Sequence, residues 1–227
     1  MHFPRNVLPL LAAGLLGACG TTSQIADFAR NDLFYVDPTF VTKAPGDRPV
    51  FVAPIVDARD ASKLPTGDRG FPIVYAGDEF WERPVPEMFA EVLGRGLAQS
   101  QLFARVDDRA SANALVLKPT LTSFTLGATQ AIAGRASFAD VSVRVQVFGP
   151  TGGDGKRTLL HDQVYGGRLA SDVDFQPISP YRLVAPVLQS TMQKLLTGLD
   201  GSNVARSEVP LDADAAELPV EATATRR

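Results

Sequence analysis

Residues Val141–Phe148 read Val-Ser-Val-Arg-Val-Gln-Val-Phe. Val141, Val143, Val145 and Val147 fall on every second position, with Ser142, Arg144 and Gln146 between them. A pleated strand points successive side chains to opposite faces, so this spacing predicts a strand over Ala136–Phe148 with one buried and one exposed face. A sheet lined this way needs a second layer to cover its valines, and the rest of the chain has to supply it.

The flanking sequence supplies neighbours for that strand. Ala114–Leu126 (ALVLKPTLTSFTL) also alternates and is rich in β-branched residues, which predicts a second strand. Thr158–Arg168 is the expected hairpin partner on the other side. Between them, Gly149–Arg157 (GPTGGDGKR) superficially resembles a phosphate-binding loop. The spacing GxxxxGK[ST] would need Gly at position 150 and Ser or Thr at 157, where Pro150 and Arg157 stand. No helix follows to receive a phosphate, so the stretch reads as a turn. Further upstream, Pro49–Asp57 (PVFVAPIVD) predicts a strand broken at Pro54. Phe103–Val106 is a short strand candidate.

Two helical stripes offer the cover. Val85, Met88, Phe89, Val92, Leu93, Gly96 and Leu97 recur at helical spacing, giving an amphipathic helix over Pro86–Ser100 with Pro86 in its first turn. Leu183/Val184, Val187/Leu188, Thr191/Met192 and Leu195/Leu196 give a second, starting near Ala185, with Gly198 expected at its C-terminal end. Close packing on a sheet is the expected reason for Gly96. The fold class is therefore α+β: an antiparallel-rich sheet of four to five strands with two amphipathic helices on one face. Residues 60–84 form a long Gly- and Pro-punctuated connection with a short extended piece at Phe71–Tyr75.

The N-terminus has a separate logic. Met1–Asn6 is weakly positive through Arg5 and the amine, and Val7–Leu16 is an apolar run of ten residues. That length suits a signal peptide and is too short for a membrane span, which needs about 20 residues. It ends in Leu16-Gly17-Ala18-Cys19, which resembles the bacterial lipobox. The resemblance implies cleavage before Cys19, with Leu16, Gly17 and Ala18 as the peptidase recognition residues. It also implies diacylglycerol on the Cys19 thiol and an acyl chain, such as palmitate, on the new amino group. One acyl chain gives marginal membrane affinity and several give stable anchoring. The residue after Cys19 is Gly20 rather than the Asp that retains lipoproteins at the inner membrane, which favours the periplasmic face of the outer membrane.

These features divide the chain into a signal peptide (1–18), a lipidated N-terminus and tether (19–47), one α+β domain (48–199) and a disordered tail (200–227). The tether has one short docked segment expected at Phe34-Tyr35-Val36. The tail is rich in Ala, Asp, Glu and Pro and has too little apolar area to offset its ordering entropy.

Composition narrows the chemistry. The 227 residues carry a net charge of −3 with pI near 5.4, which gives no basic surface for nucleic acid. Cys19 is the only cysteine, and His161 is the only histidine once His2 leaves with the signal peptide. Zinc sites built from Cys and His cannot be assembled from such a set. His161 lies in an expected strand and reads as a solvent-face residue. The carboxylate pairs Asp57/Asp60, Asp107/Asp108 and Asp172/Asp174 fall at strand ends or in loops, where Asp favours turns. No catalytic residue, cofactor or metal is expected. The aromatics Phe71, Tyr75, Phe80 and Trp81 cluster before the first helix. Phe80 and Trp81 are expected to pack over the start of that helix, and part of this group is a candidate partner contact.

Over residues 49–199 the chain resembles the auxiliary lipoproteins of ABC-type, MCE-linked lipid transport systems. The resemblance rests on PVFVAPIVDAR, FWERPVPEMFAEVLGRGLAQSQLFARV, ALVLKPTLTSF and APVLQSTMQKLLTGL. The long 60–80 insertion and Asp57-Ala58-Arg59 depart from that family, and the latter is closer to YajG-like lipoproteins. What the resemblance implies is a non-enzymatic accessory subunit of an envelope transport complex. The alternative is a lipoprotein supporting outer-membrane or peptidoglycan integrity.

Overall fold

The computed structural model describes residues 27–32, 34–59, 73–75, 81–131, 134–172 and 180–206. Its elements in chain order are β1 (Pro49–Val52), β2 (Val56–Asp57), β3 (Ile73–Tyr75), α1 (Val85–Ser100), β4 (Arg105–Asp107), β5 (Leu115–Ala131), β6 (Gly134–Thr151), β7 (Arg157–Ala170) and α2 (Val184–Ser202). A 3-10 turn at Pro180–Leu183 leads into α2.

The α+β class holds, but the sheet is larger and more mixed than the sequence suggests. Among the described residues its seven strands run β4-β1-β5-β6-β7, with β2 and β3 also on β5. Strands β5, β6 and β7 form an antiparallel meander, whereas β1 pairs parallel to both β4 and β5. Parallel pairing needs a long crossover, and the segment between β1 and β4, which contains α1, provides it. Because β5 is 17 residues long, three short strands line one edge of it in succession: β1 at 115–117, β2 at 120–121 and β3 at 126–128. The expected break at Pro54 separates β1 from β2, and Pro119 of β5 lies opposite that interruption.

The valine pattern behaves as its spacing requires. Val141, Val143, Val145 and Val147 are fully buried, in one core cluster with the buried stripes of α1 and α2. Leu115, Leu117, Leu121, Phe124 and Leu126 extend that face across β5. Both helices thus cover one side of the sheet, and Lys118, Arg144 and Asp162 stand exposed on the other.

Two glycine readings change. Gly96 packs against another helix rather than the sheet, since a Cβ there would lie 3.4 Å from Met192 Sδ of α2. Gly198 does not end α2; the helix runs on to Ser202 and closes at Asn203, whose φ of 56° is left-handed. The phenol ring of buried Tyr165 instead occupies the space that a Cβ at Gly198 would take.

The domain boundaries also move outward. Phe28 is fully buried and Tyr35 nearly so, placing residues 27–47 on the fold as a strap rather than a tether. Val36, expected to dock beside Tyr35, is 55% exposed. At the other end, Leu199, Asp200, Val204 and Ala205 are buried, so ordered chain continues past 199.

Two substitutions with opposite outcomes check this packing. Gly198→Ala forces its methyl into the Tyr165 ring and should destabilise the protein by about 1–3 kcal/mol. Gly94→Ala meets no atom within 4 Å and should stabilise α1 by up to about 1 kcal/mol through helix propensity. Urea unfolding of the two variants measures both signs.

Candidate functional site: the N-terminal clamp and the open sheet face

Asp27, the first described residue, is held by charge. Its side chain is 6% exposed and accepts a 2.5 Å hydrogen bond from Arg83 Nε. Its Oδ1 accepts from the Ala29 N–H at 2.8 Å, as in an Asx turn. Arg83 also reaches Glu91 on α1 at 2.7 Å, and Arg30 lies 3.4 Å from the same carboxylate. Burial pushes the Asp27 carboxyl up, but the bonds from Arg83 and Ala29 and the charges of Arg83 and Arg30 outweigh it, leaving a net lowering. Arg83 holds Glu91 below its usual range for the same reason, helped by Arg30.

Phe28 then inserts into an aromatic cluster. It meets Trp81 edge-on at 5.3 Å and stacks on Phe124 at 5.4 Å. Trp81 also contacts Phe34, Phe124 and Tyr181. Further along the strap, Arg95 of α1 donates to Asp37 at 2.6 Å and to the Ala29 carbonyl at 2.9 Å. The strap ends at α2, where Asp200 accepts from Thr42 Oγ1 at 2.9 Å and from the Lys43 N–H at 3.0 Å. Arg206 binds the same carboxylate and the Ala44 carbonyl. Burial raises the Asp200 carboxyl, and the bonds from Lys43, Thr42 and Arg206 together bring it below its usual value.

The open face of the sheet is polar and cross-linked. Arg144 and Gln146 of β6 both donate to Asp162 of β7, at 2.7 and 3.0 Å. Lys118 sits over the Phe148 ring at 4.7 Å. Val56 and Val164 are each 57% exposed on this face, in the cross-strand row that contains Thr120 and Arg144.

The expected site residues separate into three groups. Leu16, Gly17, Ala18, Cys19, Phe71 and Phe80 lie outside the described residues. Tyr75 is described through its backbone, which pairs with Leu126. Trp81 is 3% exposed, so it serves as the hub of the aromatic cluster and is removed as a partner contact.

His161 also needs correction. It shares the core face with Gln163 and Tyr165, because its partner across the sheet is buried Val147. His161 Nε2 and Tyr165 Oη lie 2.7 Å apart in a hydrogen bond, and Tyr165 Oη also donates to Gln163 at 3.2 Å. Burial lowers the imidazole pKa, the Asp162 charge opposing it, and burial raises the phenol to about 12. A phenol held protonated in this way is a structural partner, not an activated nucleophile. The Gly-rich stretch is the β6–β7 turn, and Arg157 there donates to the carbonyls of Ala114, Gly149 and Ser111. Asp57 and Asp107 pair with Arg59 and Arg105 two positions away. Among the described residues no three His, Cys, Asp or Glu side chains could hold a metal, and no helix is long and apolar enough to cross a membrane.

The clamp was not legible in sequence because its partners are 56 and 158 positions apart. The only local signal is the buried-type aromatic Phe28 beside Asp27.

Acid should release both ends of the strap. A carboxyl whose pKa is lowered on folding adds stability above its unfolded value near 4, and that stability is lost as pH falls through the folded value. The wild-type melting temperature should therefore drop steeply below about pH 4. Asp27→Asn and Asp200→Asn should each cost about 1–3 kcal/mol at pH 7 and flatten that drop. Melting curves between pH 2.5 and 7 test this, and variants with an unchanged acid profile would refute it.

Neither a family model nor a curated protein matches the chain. Among solved structures, the chain is similar to the hypothetical protein CT253 from Chlamydia trachomatis, with 15% identity and a TM-score of 0.45, over 71% of this chain and 99% of that one. It is also similar to protein XCC0632 from Xanthomonas campestris, DUF330, with 17% identity and a TM-score of 0.44, over 74% of this chain and 92% of that one.

Proposed function

We propose that the protein is a non-enzymatic lipoprotein, anchored through Cys19 to the periplasmic face of the outer membrane. There it serves as an accessory subunit of an envelope transport complex, with lipid as the cargo. The observation that carries this reading is the short distance between the lipobox cysteine and the clamp. Cys19 precedes Asp27 by eight positions, and eight extended residues span about 28 Å at most. A free tether over 20–47 would reach about 100 Å. A body clamped from Asp27 onward is therefore held against the membrane that its acyl chains enter. That placement suits a subunit receiving or passing on a membrane component, and suits less a protein that must reach across the periplasm.

The open polar face of β5, β6 and β7 supports the same reading. Its side chains are exposed and fixed by cross-strand pairing, so it offers a shaped surface at little ordering cost.

The anchor and the role are tested separately. Cys19→Ala should abolish incorporation of labelled fatty acid and leave an uncleaved precursor. A wild-type protein that is processed normally without label would overturn the anchor. Affinity purification of the wild-type chain from detergent-solubilised membranes should recover subunits of an envelope transporter. Recovery of none, together with intact lipid uptake in a deletion strain, would overturn the role.

A further inference from the structure

Strand β7 ends the sheet, and among the described residues it pairs with β6 alone. Its ladder direction fixes which backbone groups face outward. Ser171 N–H bonds the Ser137 carbonyl, and Ser137 lies opposite Ser171 in the continuation of the Phe138–Ala170 register. In an antiparallel ladder the bonded positions alternate, so odd-numbered residues from His161 to Leu169 bond β6. The N–H and C=O groups of Asp162, Val164, Gly166 and Arg168 point to the open edge. The contact of Lys194 Nζ with the Gly166 carbonyl, at 2.8 Å, agrees with this parity. Helix α2 packs over the core face at Gly167, where a Cβ would lie 3.1 Å from Thr191 Oγ1 and 3.2 Å from the Val187 carbonyl. It leaves the outer face of β7 exposed, with Val164 at 57%.

An unpaired edge strand of this length invites another strand. The side chains along it are complementary to themselves when read in reverse. A two-fold axis at Tyr165 places Asp162 opposite Arg168 of a second copy, and Arg168 opposite its Asp162. The same axis places Val164 opposite Gly166, which has no side chain to obstruct it. All four are outward-facing positions, so each of these pairs can exchange both backbone hydrogen bonds. Moving the axis to Val164 would oppose Asp162 to Gly166, and moving it to Gly166 would oppose Val164 to Arg168. Only the axis at Tyr165 matches both charges. We propose that two copies of this chain associate edge to edge through β7, antiparallel about Tyr165, to form one continuous sheet. The interface is isologous, as a closed dimer requires. The exposed Lys194 ammonium leaves the Gly166 carbonyl, which then accepts the Val164 N–H of the second copy. Asp162 already accepts from Arg144 and Gln146 and has lone pairs left for a second guanidinium.

Sedimentation of the full chain, purified from membranes in density-matched detergent, tests this proposal. The expected result is a two-chain species that dissociates on dilution. Val164→Pro deletes one outward N–H but no bond to β6, and proline is tolerated at a sheet edge. It should abolish the two-chain species while circular dichroism stays native. Arg168→Asp should also abolish it, by opposing two carboxylates, and the double variant Asp162→Lys/Arg168→Asp should restore it. A single-chain mass at every concentration overturns the proposal, as does a dimer unaffected by Arg168→Asp. If Val164→Pro does not fold, the loss and rescue in the charge variants decide the matter.

Discussion

One constraint organises the fold: the four valines of β6 must be kept from water across the middle of a wide sheet. Each buried valine is worth about 1.5–3 kcal/mol relative to exposure, and that benefit requires a cover as broad as the strand is long. Two helices from distant parts of the sequence supply it, and they meet where Gly96 lets Met192 approach. Tyr165 fills the remaining gap between β7 and α2 by lying over Gly198. The opposite face is free of this duty, so its positions carry Lys118, Thr120, Arg144, Gln146 and Asp162.

The same cover accounts for the strap. Two helices over seven strands leave the sheet end around Phe124 open, and Phe28, Phe34, Trp81 and Tyr181 close it. An aromatic plug at the domain margin needs its chain held down on both sides. Asp27 does this through Arg83, which Glu91 of α1 holds in turn, and Asp200 does it from α2 through Thr42 and Lys43. Neither charged group is a surface ornament, since both carboxylate side chains are buried and bonded.

Much of this was readable in the sequence, for identifiable reasons. Alternation in β6 and the apolar stripes of α1 and α2 are local periodicities, and local periodicity survives folding unchanged. Direction of pairing is not local: nothing in Pro49–Val52 distinguishes a parallel from an antiparallel neighbour, so the mixed sheet emerged only from the three-dimensional arrangement. The strap was missed for a related reason. Its composition is that of a linker, with isolated aromatics among polar residues, and only partners 50 to 160 positions away make it part of the core. His161 lies on the core face because the Phe138–Val147 register runs unbroken to it, while apolar Val164, of opposite parity, stands 57% exposed and disguises that face in the sequence.

The bond between Thr42 and Asp200 also sets an order of events in the life of the chain. Chains are synthesised N-terminus first, so residues 27–44 exist well before α2 is there to receive them. The strap cannot close until nearly the whole domain has been delivered. During that interval Phe28, Phe34 and Tyr35 are exposed apolar groups near the start of the folded domain. A polypeptide built this way is most vulnerable to wrong associations early in its synthesis. It gains protection only when its last helix arrives.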